Sequence, residues 1–235
     1  MTASSSALRK SQVETVWDCE VWMLRLHYYP GFISLAAHIV LEEIGAEYEL
    51  SFVNLHKGPS NNPSYRALHP DGLVPVLESD DLVLYESTAI TLHLLELKEG
   101  ATLIPAQGSV LRPQFYKWLM WLATAPHANL SLYLHPNKVA VSVEAQAEIK
   151  QAAEQRVNSQ FDRLEDELAR HGGPWFLSDT YSAVDAYVFT LARWSRGMPR
   201  PAASRPHLGA YLRRVIERPA VQRALAQEHI PQPWL

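Results

Sequence analysis

The chain has 235 residues, 47% apolar and 20% charged, with a net charge of −4. That is material for one large domain or two small ones with a buried core, and it excludes a disordered chain. The acidic balance offers no basic field for nucleic acid, and no apolar run approaches the roughly 18 residues that a membrane span needs.

In chain order, residues 1–22 lack a continuous apolar stretch and carry acids, so they read as a polar N-terminal extension and not as a secretory signal. Their Cys19 is the single cysteine; it excludes a disulfide within the chain and fits a reducing compartment such as the cytoplasm. Met23 stands directly ahead of the first strand pattern, as an over-extended start assignment would leave it. Leu24 to Tyr29 alternates apolar and polar, which predicts a half-buried strand. Between Ser34 and Ile44, the apolar residues Leu35, Ile39, Val40 and Ile44 share one helical face, with Ser34 suited to the N-cap and Gly45 to the stop. Tyr48 to Leu55 reads as a second strand, followed by a Pro/Asn/Ser-rich loop. The runs LVPVLES and LVLYE predict two short strands joined by an acidic turn, and Ile90, Leu94 and Leu97 mark a helix beginning near Ser87. The order βαβ, loop, ββα describes an α/β unit with a mixed sheet.

After Gly100 the periodicity is helical throughout: 111–123, 143–170, 182–196, 206–217 and 219–228 are predicted helices. The longest carries Val157, Phe161, Leu164 and Leu168 as a core stripe and stops at Gly172-Gly173-Pro174. Ser182 followed by Asp185 is a capping-box-like start, which makes Asp185 a determinant of fold. The expected division is therefore 23–98 as an α/β domain, 99–110 as a linker and 111–235 as an all-helical domain.

Two local signals bear on chemistry. Val74-Pro75 falls inside an apolar strand pattern, although proline cannot donate to a sheet ladder. An ordinary trans proline at a sheet edge satisfies this pattern; so does a cis bond that opens neighbouring backbone groups to a ligand. Tyr85-Glu86-Ser87 precedes a helix, where Ser87 serves either as a cap or, with the free N–H groups, as a grip on a carboxylate. The histidines show neither HExxH nor any spacing that would suggest a metal site.

Four stretches, YYPGFISLAAHIVLEEIG, ALHPDGLVPVLESDDLVLYESTAI, PWFLSDTYSAVDAYVFTLARW and HLGAYLRRVIERPAVQRAL, lie in order across both halves of the chain. Together they resemble the soluble glutathione transferase family, in particular its bacterial beta-class branch. The resemblance implies a thioredoxin-like N-terminal domain, an all-helical C-terminal domain, a homodimer, and glutathione as co-substrate alongside a small hydrophobic electrophile. It also implies a cis Pro75, a Val74 backbone paired with the cysteinyl unit of glutathione, and Glu86 and Ser87 holding the γ-glutamyl end.

The chemistry that the resemblance implies needs a thiolate. A thiol of pKa ~8.5 is mostly protonated at neutral pH, and lowering it by ~2 units takes about 2.7 kcal/mol. A hydroxyl hydrogen bond at about 1.5–3 kcal/mol and a helix N-terminus at about 0.3–1 kcal/mol supply that. Beta-class relatives carry a cysteine where this chain has Ile33, so a cysteine-dependent mixed disulfide is not expected here, and Tyr28 and Ser34 become the candidate hydroxyls. Ser34 serves equally as an N-cap, and Tyr28 as a plain sheet residue; Tyr29 is the weaker candidate because alternation points it to the opposite face. His127 falls where relatives have a histidine facing the thiol, and Lys57 stands where it would meet the glycyl carboxylate. A glutathione-binding or regulatory protein without turnover, and a glutathione-dependent reductase or lyase, share these features.

Overall fold

The computed structural model describes residues 23–55, 62–80, 82–97, 103–177 and 179–235. The extension 1–22 and Lys57 lie outside the described residues, as do positions 98–102 of the expected domain junction. Four strands form one mixed sheet in the order β2-β1-β3-β4. They are β1 (Leu24–Tyr28), β2 (Tyr48–Phe52), β3 (Val76–Ser79) and β4 (Leu82–Tyr85). β1 runs parallel to β2 with Leu26 opposite Leu50, and antiparallel to β3 with Leu26 opposite Leu77. Crossing from β1 to the parallel β2 requires a crossover connection, supplied here by α1 (Ser34–Ile44). This helix ends at Gly45, whose left-handed backbone (φ +62°) returns an N–H to Leu41.

The other helices are α2 (Pro63–Leu68), α3 (Ser87–Glu96), α4 (Leu111–Thr124), α5 (Pro126–Leu134), α6 (Val143–His171), α7 (Ala183–Trp194), α8 (Pro206–Ile216) and α9 (Pro219–Gln227). No described residue after Tyr85 belongs to a strand, which agrees with the change of period at Gly100. Two helices depart from the sequence reading. α2 sits in the stretch read as loop, capped by the Asn62 side chain, which accepts from the Tyr65 N–H at 3.3 Å. α5 occupies the APHANLSLYL run, opened by Pro126 at its first turn.

The core stripe of α6 is buried as its spacing predicts. α7 is buried from Ala183 to Arg193, as expected of a helix apolar on most sides and packed at the centre of the helical half. Its capping box forms: Asp185 accepts from the Ser182 N–H (2.7 Å) and hydroxyl (3.0 Å), from the Phe176 N–H (2.8 Å) and from the Tyr211 hydroxyl (2.8 Å). Helices α7 and α9 pack on α1, and α4 packs on α3, so both α/β helices beside the candidate site lean on the helical half.

Candidate active site

The β1–α1 turn is gripped from the far end of the chain. Gly31 (φ +71°) donates its N–H to Glu228 Oε2 at 2.8 Å and accepts from Trp194 Nε1 at 2.8 Å. A Cβ at Gly31 would lie 3.4 Å from the buried Arg193 guanidinium, an ordinary contact, so it is the left-handed backbone angle that calls for glycine here. Glu228 is itself buried and reaches His38 Nδ1 with its other oxygen at 2.9 Å. Sequence reasoning missed Glu228, because its partners lie 190 or more positions away.

This grip sets how α1 begins. Ile33 occupies the cap position with no side-chain cap, and Ser34 is the first helical residue. The Ser34 hydroxyl, fully buried, does not cap; it donates back to the Tyr29 carbonyl (3.3 Å) and lies 3.4 Å from the Tyr29 N–H. The Ile33 and Ser34 N–H groups meet no acceptor among the described residues, which leaves the positive end of α1 open. Tyr28 is buried at the end of β1, and its hydroxyl has no hydrogen-bond partner among the described residues. Burial, helped by the Glu228 charge, raises its pKa above that of an ordinary tyrosine, so it keeps its proton. Tyr29 takes the other side, with its ring 4.7 Å from that of Phe32 and both rings packed on the cluster that contains Val74.

The Val74–Pro75 bond is cis. β3 starts only at Val76, so Val74 stands outside the ladder, and no main-chain hydrogen bond engages it among the described residues. The carbonyl before it is fixed, because the Tyr65 hydroxyl of α2 donates to Leu73 O at 2.6 Å. His69, in the turn leading to this segment, accepts from the Asp71 N–H at 3.2 Å, and its ring lies 4.8 Å from that of Tyr85.

α3 opens without a side-chain cap. Glu86, not Ser87, holds the cap position, with a left-handed φ of +75° that a glutamate adopts only at a cost of order 1–3 kcal/mol. Its carboxylate is exposed, whereas Ser87 is buried with its Oγ 2.8 Å from the Tyr187 hydroxyl of α7. On the helical side, the His127 ring stands edge-on to Trp194 at 5.3 Å, and Trp194 lies 6.4 Å from Phe32. Burial brings the His127 pKa down to about 4, so the ring is neutral at physiological pH. Ile33 is buried in the core, one residue before α1. Among the described residues, no group of three His, Cys, Asp or Glu side chains could hold a metal ion, and no helix is long and apolar enough to cross a membrane.

The structure therefore groups Tyr28, Ile33, Ser34 and, through Trp194, His127 around the β1–α1 turn. Val74-Pro75 and Glu86-Ser87 flank the β3–β4 hairpin at its open end, where Val76 pairs with Tyr85. Residues 24–96 match the family model described as glutathione S-transferase, N-terminal domain, and residues 146–214 match that of the C-terminal domain. The glutathione S-transferase GstA of Escherichia coli O157:H7 is 31% identical over 207 residues, covering 87% of this chain and 98% of its own length. The chain belongs to the glutathione S-transferase family. Two solved members of that family superimpose with a TM-score of 0.76, each matched over 88% of this chain and 100% of its own. One is a sphingomonad glutathione S-transferase complexed with glutathione, 32% identical; the other is a bacterial beta-class enzyme of Sphingomonas chungbukensis, 30% identical.

Proposed function

We propose that the protein conjugates glutathione to a small apolar electrophile. The observation that carries this reading is the open start of α1, where the Ile33 and Ser34 N–H groups have no acceptor among the described residues. A thiolate sulfur placed there meets unpaired donors and the positive end of the helix dipole. Tyr28, kept protonated by burial, donates its hydroxyl to the same sulfur. Ser34 acts through the backbone, since its hydroxyl is closed off against Tyr29.

The free main chain of Val74 pairs with the cysteinyl unit as an added strand. Glu86 accepts from the γ-glutamyl ammonium, and Ser87 donates to the carboxylate. The thiol proton leaves to solvent and sulfur bonds to the electrophilic carbon. A leaving group then departs with its bonding pair, or an activated double bond takes up the electrons. The row Phe32, Trp194 and neutral His127 offers the electrophile an uncharged, ring-lined wall. Exposed Val83 and Tyr85 on β4, with Tyr116 and Met120 on α4, support association as a homodimer. The same reading makes the protein a cytoplasmic enzyme of detoxification.

Ultraviolet thiolate absorbance of bound glutathione across a pH series tests it. The expected result is a thiol pKa lowered by about 2 units and partly restored in Tyr28→Phe. Glutathione that binds with an unshifted thiol would make this a binding protein without turnover.

A further inference from the structure

Ser87 reaches across to the helical half, and the direction of that hydrogen bond has a functional meaning. Its Oγ lies 2.8 Å from the hydroxyl of Tyr187, in the middle of the buried helix α7. Each hydroxyl carries one hydrogen. If Ser87 donated to Tyr187, the phenol hydrogen would be left in the core with no other hydrogen-bond partner among the described residues. If Tyr187 donates, that hydrogen is satisfied and the hydrogen of Ser87 is free to turn elsewhere. Burial raises the Tyr187 pKa above the ordinary tyrosine value, which keeps the phenol in its donor form.

The surroundings of Ser87 leave its hydrogen uncommitted. Its hydroxyl does not cap α3, because Glu86 occupies the cap position. Its carbonyl is engaged separately by the Thr91 hydroxyl at 2.8 Å. Ser87 also keeps 7% of its surface exposed, whereas Tyr187 has none.

We propose that Tyr187 is a positioning residue for glutathione: by donating to Ser87 Oγ, it turns the serine hydrogen outward toward the α-carboxylate of the γ-glutamyl unit. This rests on the glutathione reading above and deepens it, since α7 thereby contributes to a subsite built on the α/β half. A chain of two hydroxyls ending on a carboxylate also polarises in one direction, so each bond strengthens the next.

The test compares glutathione with 4-aminobutyryl-cysteinylglycine, which keeps the amine and the thiol but lacks the α-carboxylate. Calorimetric titration is expected to show Tyr187→Phe weakening glutathione about five- to tenfold while leaving the analogue unchanged. In steady-state kinetics the loss falls in KM for glutathione and not in kcat. In a Ser87→Ala background, Tyr187→Phe has no further effect on glutathione. Equal weakening of both ligands makes Tyr187 a packing residue and overturns the proposal, as does a preference for glutathione that survives Tyr187→Phe undiminished. A wild-type protein that binds both ligands alike, or neither, removes the carboxylate contact itself and overturns the glutathione reading of Ser87 with it.

Discussion

Helices α3 and α7 both open beside a serine followed by a polar residue or a short run of apolar ones, yet the two starts are built differently. At α7, Ser182 holds extended backbone angles and shares Asp185 in a closed capping box, so the helix end is satisfied from within the chain. At α3 the cap position belongs to Glu86 in a left-handed conformation, no side chain caps the helix, and Ser87 is bonded to another element. α1 resembles α3: its Ser34 turns back to Tyr29, and the first N–H groups stay open. The long α6 resembles α7, with Ser142 accepting from the Ala145 N–H at 3.2 Å. Serines at helix starts in the helical half hold the fold, and those of the α/β half leave donors available to a ligand. Residue type alone does not distinguish them; the conformation of the residue before the helix does.

The strongest test of the contrast is at the closed end. Asp185→Ala would orphan donors from Phe176, Ser182 and Tyr211 in the core, and a loss of about 3–5 kcal/mol is expected in urea unfolding. A loss below about 1 kcal/mol would mean that the box does not hold the helical half together. Burial keeps this carboxyl above its ordinary pKa even against four donors, so the cost comes from the donors left unpaired.

The start of α5 gives a smaller, pH-dependent effect. His127 follows Pro126 there, and burial brings its pKa from 6.5 to about 4. Between those values the unfolded chain binds a proton that the folded chain refuses. Its contribution is therefore fully present above pH 6.5 and lost as the pH falls toward 4, by about 1–3 kcal/mol. Thermal melts across that window should show the slope in the wild type and a flatter one in His127→Phe.

The smallest effects sharpen the comparison most directly. Ser182→Ala should cost about 1 kcal/mol of stability and leave KM for glutathione unchanged. Ser87→Ala should raise that KM about tenfold. Urea unfolding and initial-rate kinetics on both variants read the two quantities, and a KM response at Ser182 would erase the distinction between the two kinds of helix start.

Much of this architecture was legible in the sequence, because it rests on local periodicity and strong stops. α1 carries its apolar face and Gly45, α6 its stripe and Gly172, and α7 its Ser-Asp box. α2 was hidden by the polar composition of its neighbourhood, and α5 by its brevity between Pro126 and Pro136. Ser34 and Ser87 read as caps because the sequence shows a hydroxyl at the right place and not the backbone angles that decide its use. At the candidate site, the segments were visible as motifs, whereas Tyr187 and Glu228 were not. Their roles arise from contacts 100 and 197 positions apart, which no local spacing encodes.

The double hold on Gly31 has a bearing on how the protein comes into being. Trp194 and Glu228 hold the turn on either side of one residue, Trp194 at the carbonyl of Gly31 and Glu228 at its N–H. During synthesis the sheet and α1 leave the ribosome long before either partner has been made. A nascent chain that stops before α9 would thus carry every strand of the sheet and the Trp194 anchor on α7 and still lack Glu228, so maturation of this corner waits on the last helix to be translated.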